Sequence, residues 1–138
     1  MQNEELKKNA SGFWKLGVFL FVLLVLLDQF VKHFAHNIFR NYVFTFSLPV
    51  PEVLIYVIYV LVLAAIIYYL SKNYKKLPRL SKVAWTLILA GAASNIFERI
   101  ILGYVRDFIY ITFYRWTGIY NLADFFIIAG IIILLIPS

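Results

Sequence analysis

The sequence predicts an all-α integral membrane protein with four transmembrane helices and short β-like segments at one membrane surface. Of the 138 residues, 63% are hydrophobic and only 14% are charged, whereas a soluble domain is roughly 45–50% apolar and about 25% charged. Apolar runs also recur at about the 20-residue length that a membrane-spanning helix needs. Cysteine is absent, which excludes disulfides, thiol nucleophiles and cysteine-ligated metals.

Four segments of a single domain, residues 1–138, are long and apolar enough to be spans. They cover about residues 16–35, 53–70, 83–102 and 118–137. The apolar core of the first, Leu16–Leu27, is as short as that of a signal peptide, but no small-residue cleavage site follows it. The second carries no charge, and the third and fourth carry polar residues near one end.

The distribution of Lys and Arg predicts that both termini are cytoplasmic. Three basic residues lie in the N-terminal arm and five in the link between the second and third spans, while the opposite side holds the other five. Cytoplasmic loops carry such an excess. The net charge of +6 is therefore assigned to loops beside anionic lipid and not to nucleic-acid binding.

Two segments on the outer side, residues 36–52 and 103–117, are rich in aromatic residues, and Tyr42, Phe44 and Phe46 recur at every second position. Alternation with a period of two is typical of short strands. Two interpretations stay open for them: an aromatic belt at the headgroups, or a flap or cradle that covers a bound peptide.

Four of the seven acidic residues are predicted to lie at one depth, near the outer surface. The first and third spans run outward and carry Asp28 and Glu98 near their ends, Asp107 follows the third, and Asp124 begins the fourth, which runs inward. A charge inside a span costs a few kcal/mol and usually marks a functional site.

The spacing of these acids predicts which of them have cationic partners. Asp28 and Lys32 are four residues apart, as in a helical ion pair, which by itself fits either a membrane-edge pair or part of a site. Glu98 and Arg99 are adjacent and cannot face each other on a helix. Arg99 is therefore predicted to point towards the bundle interior.

Asp107 and Asp124 have no cation at helical spacing on a matching face, and Arg106 is predicted to point away from Asp107 in an extended strand. Two carboxylates in a low-dielectric pocket cannot both ionise easily, so one holds a proton. Such a pair can deprotonate water and protonate a leaving amine, which is the chemistry of aspartic proteolysis.

His33 and His36 have metal-like spacing but no obvious third ligand, so they are interpreted as interfacial side chains, and no cofactor is predicted.

Four blocks of the chain resemble, in order, the motifs of the lipoprotein signal peptidases, also called signal peptidase II or prolipoprotein signal peptidases. Asp28–Lys32 is similar to D-Q-x-x-K, and Arg40–Ser47 to R-N-x-G-A-A-F-S. Gly91–Arg99 followed by Gly103–Phe108 resembles G-G-x-x-G-N-x-x-D-R and G-x-V-x-D-F, and Tyr120–Asp124 resembles F-N-x-A-D.

The resemblance implies an intramembrane aspartic endopeptidase of the bacterial cytoplasmic (inner) membrane with its active site towards the outer face. Such enzymes remove the signal peptide from a prolipoprotein just before its diacylglyceryl-modified cysteine. The implied catalytic pair is Asp107 and Asp124. The implied pocket residues are Asn41, Asn95, Arg99 and Asn121, and the implied structural supports are Asp28, Lys32, Gly91 and Gly103. The implied partners are lipidated prolipoproteins, membrane lipid and globomycin-like peptide inhibitors, with no nucleic acid.

The chain departs from the family pattern at several positions. Val43-Phe44-Thr45 stands where the family has its small G-A-A run, and the stretch between Lys32 and Asn41 is short, which predicts a reduced substrate cradle. The remaining departures are Ser94 for Gly, Glu98 for Asp, and Phe125 after Asp124.

Two other functions stay open at this point. One is a catalytically idle homologue that binds lipidated peptides, with Val43 and Phe44 blocking the groove. The other is a small proton-coupled carrier or channel subunit. Against the carrier, the inner halves of the spans, such as Leu16–Leu24 and Ile127–Ile136, carry no charge.

Overall fold

The structure, a computed structural model, describes residues 2–42 and 52–136, with side chains described from Trp14 onwards except at Glu52 and Ile55. The described helices are α1 (Gln2–Phe34), α2 (Glu52–Asn73), α3 (Arg79–Leu102) and α4 (Leu122–Leu135). A 3₁₀ turn, Tyr74–Lys76, links α2 to α3. The described strands are β1 (Phe39–Asn41), β2 (Val105–Asp107), β3 (Ile109–Phe113) and β4 (Trp116–Tyr120).

Three helical segments within the described residues are long and apolar enough to cross a membrane: Trp14–Phe34, Tyr56–Lys76 and Arg79–Leu102. Helix α4 has 14 residues and is therefore about 21 Å long, which is shorter than the roughly 30 Å hydrocarbon core. A fourth crossing and cytoplasmic termini thus remain predictions.

The start of the fourth helix differs from the sequence prediction, which placed it at residue 118. Gly118 lies in strand β4, and the helix begins at Leu122. The reason is a capping box at Asn121. Its side chain accepts a hydrogen bond from the backbone N–H of Asp124, and the Asp124 carboxylate accepts one from the backbone N–H of Asn121. This reciprocal pair satisfies two amide donors that a helix start leaves open.

Helix α3 packs against α1 and α4 through small residues. A Cβ atom on Gly91 would clash with the backbone carbonyl oxygen of Ala123, and one on Gly130 would lie 2.6 Å from the carbonyl oxygen of Ala84. In lipid, helices associate through close packing of this kind because no hydrophobic effect drives them together. Gly91 therefore holds the polar first turn of α4 against α3, and Gly130 allows the same close approach about two turns further along α4.

Helix α2 contributes little to the packed core. None of its described side chains is buried, and large apolar residues such as Val60 and Tyr68 are about two-thirds exposed. Such a surface suits contact with lipid chains on most sides of the helix.

The strands lie at the end of the bundle where α1 and α3 finish and α4 begins. Strand β1 pairs antiparallel with β2, and β3 forms a hairpin with β4. Gly103, with φ of 78°, ends α3 in a left-handed conformation and turns the chain into β2. The predicted strand character of residues 103–117 is therefore confirmed. Of the predicted segment 36–52, only β1 is a described strand, and Val43-Phe44-Thr45 and Phe46 lie outside the described residues.

Candidate active site

The β3–β4 hairpin brings Asp107 and Asn121 together. Asp107 is the last residue of β2, and Asn121 follows β4 directly. The backbone N–H of Phe108 donates to the carbonyl of Tyr120 at 2.9 Å, which closes the base of the hairpin. The residues that flank this base are therefore neighbours in space although 14 positions separate them in the chain.

Asn121 holds both candidate carboxylates. Its Nδ2 donates to Oδ1 of Asp107 at 2.6 Å, and its Oδ1 accepts from the backbone N–H of Asp124 at 3.0 Å. Its own backbone N–H donates to Oδ2 of Asp124 at 3.0 Å. One residue thus fixes the position of Asp107 and caps the helix that carries Asp124.

A second amide binds each carboxylate from another element. Nδ2 of Asn41 on β1 donates to Oδ2 of Asp107 at 2.9 Å, and Nδ2 of Asn95 on α3 donates to Oδ1 of Asp124 at 2.8 Å. Asn41 reaches Asp107 because Phe39 lies opposite Asp107 in the sheet, which makes Asn41 a diagonal neighbour on the same face. Both oxygens of each carboxyl group therefore accept a hydrogen bond from an amide.

The two carboxyl groups differ in environment. Asp107 is only 2% exposed, while Asp124 is half-buried. Burial raises the pKa of Asp107, and the negative charge of Asp124 raises it further, whereas the hydrogen bonds from Asn41 and Asn121 and the charge of Lys32 lower it. The net result is a pKa above the ordinary value, so Asp107 holds its proton to a higher pH than a solvated aspartate.

A buried cluster of charged side chains supports the two candidate carboxyl groups. Lys32 has no exposed surface, and its Nζ lies 2.8 Å from Asp28 and 3.0 Å from Glu98. It also donates to Oδ1 of Asn95 at 3.1 Å, and so orients the amide that binds Asp124. Arg106 completes the cluster with its Nε 2.6 Å from Glu98, so that two acids and two bases balance in charge.

Asp28 connects this cluster to the first turn of α4. Its Oδ2 accepts a hydrogen bond from the Ser94 hydroxyl at 2.5 Å, and its Oδ1 accepts one from the backbone N–H of Ala123 at 2.9 Å. Gln29 donates to Ser94 at 2.8 Å and accepts from Arg106 at 2.9 Å. The residue next to Asp124 is therefore anchored by its backbone to α1 and through it to α3.

The structure brings most of the predicted site residues together. Asn41, Asn95 and Asn121 contact the carboxylates, and the predicted ion pair between Asp28 and Lys32 is confirmed. Arg99 lies about one helical turn beyond Asn95 on α3, half-buried, with its guanidinium carbon 5.9 Å from the centre of the Tyr59 ring of α2.

Sequence reasoning missed several partners in the supporting network. Arg106 does point away from Asp107, as predicted, but the sequence did not show that Glu98 is its partner. The hydroxyl of Ser94, which the sequence showed only as a departure from the family glycine, both accepts and donates a hydrogen bond within the cluster. Gln29 was identified only as a residue that matches the family motif D-Q-x-x-K, without a structural role. The position of each depends on the rotation of one helix against another, for which a single sequence carries no signal.

The helices and this polar network define the chain as a small helical membrane protein with two amide-held carboxyl groups at one end of its bundle. Comparisons with known proteins give the family. The sequence profile of signal peptidase (SPase) II matches residues 20–138, and the chain therefore belongs to the signal peptidase II family, a family of bacterial membrane proteases.

Individual relatives agree with this membership. The lipoprotein signal peptidase of Chlamydia trachomatis serovar L2 is 31% identical over 95% of this chain and 74% of its own length. That of Caldanaerobacter subterraneus is 31% identical over 86% of this chain and 92% of its own length. A solved bacterial membrane enzyme superposes with a TM-score of 0.74 at 24% identity, over 88% of this chain and 91% of the other, which shows the shared fold.

Proposed function

We propose that this chain is an intramembrane aspartic endopeptidase that removes the signal peptide from diacylglyceryl-modified prolipoproteins, just before the lipidated cysteine. Asp107 and Asp124 are the proposed catalytic pair. The observation that carries the proposal is the double role of Asn121, which binds Asp107 through its side chain and Asp124 through its backbone. The name of the relatives, lipoprotein signal peptidase, supports the choice of substrate.

The different surroundings of the two carboxyl groups support a division of labour. Asp107 is buried and has a raised pKa, and we assign it the proton at the start of the reaction. We assign the role of base to Asp124, which is half-buried: it removes a proton from water, and the resulting hydroxide attacks the scissile carbonyl carbon while Asp107 protonates the carbonyl oxygen. On collapse of the tetrahedral intermediate, Asp124 gives its proton to the leaving amine, the C–N bond breaks, and Asp107 takes back a proton from one hydroxyl group of the intermediate as the C=O bond re-forms.

The surroundings of the pair suit a substrate that arrives within the bilayer. Phe113, Tyr114 and Trp116 at the tip of the β3–β4 hairpin are more than four-fifths exposed, a composition that suits the headgroup region. We propose that this hairpin lies at the outer face of the cytoplasmic membrane, either as a cradle for the peptide or as an anchor. Asn41 and Asn95 would present amide groups to a peptide backbone that has no water to bind in lipid.

A cleavage assay with three variants tests the proposal. The purified protein, in lipid-containing micelles, is incubated with a diacylglyceryl prolipoprotein, and the product is followed by its shift on a gel. Asp107→Asn and Asp124→Asn are each expected to lose at least about 100-fold in rate, since general acid–base groups contribute about 10²–10⁴-fold. Asp28→Asn is the matched control, because Asp28 is the one other aspartate in the sequence and lies in the supporting network. When the cleavage rate is divided by the amount of folded protein, Asp28→Asn is expected to keep a measurable rate.

Two results would reject parts of the proposal. Normal cleavage by either Asp107→Asn or Asp124→Asn would reject the catalytic pair. Binding of the prolipoprotein without cleavage by the unmodified protein would instead support the catalytically idle homologue.

A proton carrier is disfavoured by the position of the described charges, because Asp28, Lys32, Glu98 and Arg106 form one cluster and do not extend through the bundle.

A further inference from the structure

A cavity of about 500 Å³ lies between α1, the end of α2 and the first half of α3. Its walls are mostly apolar and include Val18, Phe21, Ile67 and Leu89. The cavity has the volume of a typical small-molecule site, roughly 300–1,000 Å³. It exists because α2, which has no buried described side chain, does not close against α1 and α3 at this level.

This cavity is separate from the candidate active site. Gly17 and Trp85 line it, whereas Lys32 and Glu98, further along the same two helices, belong to the ion cluster. At 1.5 Å per residue, the 13 to 15 residues between them correspond to about 20 Å along the helix axes. The cavity therefore lies towards the opposite end of the bundle from Asp107.

The rim of the cavity is basic. Among the described side chains that line it, Lys75 is the only charged one. Tyr74, also in the lining, packs edge-on against Trp14 at 5.4 Å, and the Nζ of Lys82 lies 5.2 Å from the Tyr74 ring centre. The sequence contains no acidic residue between Glu52 and Glu98, so the segment that carries this rim is uniformly positive.

Two of the three hydroxyl groups that line the cavity already have partners. Thr86 donates to the carbonyl of Lys82 at 2.9 Å, and Ser71 donates to the carbonyl of Tyr68 at 2.7 Å. The features available to a ligand are therefore a long apolar surface, the hydroxyl of Tyr74 and the cationic side chain of Lys75. An apolar chain with an anionic head has the complementary chemistry.

We propose that this cavity binds one acyl chain of an anionic membrane phospholipid, with the headgroup phosphate at Lys75. Apolar walls accept the chain without an exposed polar group, and basic pockets between membrane helices attract anionic headgroups. The inference does not depend on the peptidase proposal, because the cavity shares no residue with the carboxylate pair or its ion cluster.

Tryptophan fluorescence provides the test, because two of the three tryptophans, Trp14 and Trp85, line the cavity. The third, Trp116, is 84% exposed on the hairpin and is replaced by Phe to remove its signal. The protein is reconstituted in phosphatidylcholine vesicles that contain a small fraction of phosphatidylglycerol or phosphatidylcholine with brominated acyl chains, which quench nearby tryptophans. Brominated phosphatidylglycerol is expected to quench several-fold more strongly than brominated phosphatidylcholine at equal mole fraction.

Two variants identify the headgroup site and the cavity. Lys75→Gln is expected to lower the preference for the anionic lipid about five-fold, the effect of one lysine beside an anionic surface. Arg115→Gln, at the hairpin turn, is the matched control and is expected to leave the preference unchanged. Val18→Phe narrows the cavity at a position that is 47% exposed and is expected to abolish selective quenching without lowering the unfolding temperature.

Several outcomes would overturn the proposal. Equal quenching by the two brominated lipids would show that the cavity does not select anionic lipid. An unchanged preference in Lys75→Gln or Val18→Phe would place any lipid site elsewhere. Displacement of the lipid by glycerol phosphate alone would show that the cationic rim recognises a soluble phosphate and not a membrane phospholipid.

Discussion

The hydrogen bond from Asn121 to Asp107 can be removed while the cap of α4 is kept. Asn121 donates to Asp107 at 2.6 Å through Nδ2 and accepts from the Asp124 N–H through Oδ1. Serine is about as good an N-cap as asparagine, so Asn121→Ser keeps an acceptor for the Asp124 N–H. The serine side chain has no counterpart of the Nδ2 group that donates to Asp107. The substitution therefore affects mainly the carboxyl group and not the helix.

The expected change in the pKa of Asp107 follows from the strength of this bond. A hydrogen bond to a charged group is worth about 1.5–3 kcal/mol, and one pKa unit corresponds to about 1.36 kcal/mol. Because the Asn121 hydrogen bond lowers the pKa of Asp107, its loss raises that pKa. If Asp107 supplies the proton, the high-pH limb of the rate profile moves to higher pH.

The measurement is the pH dependence of kcat/KM for cleavage of a synthetic lipopeptide with a fluorescent reporter. Asn73→Ser is the matched control, since Asn73 is half-buried at the end of α2 and donates to the carbonyl of Tyr69; its profile is expected to match that of the unmodified protein. A high-pH limb that stays fixed or moves downward in Asn121→Ser would refute the assignment of the proton to Asp107.

Three further predictions concern stability. Lys32→Met leaves two buried carboxylates without their shared cation and is expected to cost about 3–5 kcal/mol of unfolding free energy, seen as a lower unfolding temperature in detergent; the same change at exposed Arg115 is expected to have little effect. Gly91→Val, which drives a side chain into the carbonyl of Ala123, is expected to cost about 1–3 kcal/mol by the same assay, and wild-type stability would contradict the close packing of α3 on α4. Finally, because the folded-state pKa of Asp107 lies above its ordinary value of 3.8, its contribution to stability is fully present below that value and is lost as the pH rises through the folded pKa. Asp107→Asn is expected to remove this decline from the stability profile, and an unchanged decline would assign it to other groups.

The sequence predicted the parts of this protein that depend on local pattern. The apolar runs predicted α1, α2 and α3, and the four-residue spacing of Asp28 and Lys32 predicted an ion pair, which the structure shows to be buried. The start of α4 could also have been read, because Asn121 and Asp124 have the spacing of a capping box. These two residues were interpreted only as polar residues near one end of the fourth span.

The rest depends on how distant segments pack, which local patterns do not encode. Glu98 lies next to Arg99 in the chain, but helix geometry separates them, and the strand after Gly103 brings Arg106 to Glu98 instead. Likewise, Ser94 becomes a partner of Asp28 only because α1 and α3 are rotated to face each other at that level. Composition and periodicity thus predicted α1, α2 and α3, whereas the hydrogen-bond and ion-pair partners within the polar network could be identified only from the tertiary structure.

The central claim is that Asp107 and Asp124 act as one electrostatically coupled pair, and carboxyl NMR tests it most directly. The chain contains three aspartates, so labelling aspartate side-chain carbons with ¹³C gives a spectrum simple enough to titrate each group. Because the charge of Asp124 raises the pKa of Asp107, the account predicts that Asp124→Asn lowers the apparent pKa of Asp107. An Asp107 titration that is identical with and without the Asp124 carboxylate would contradict it.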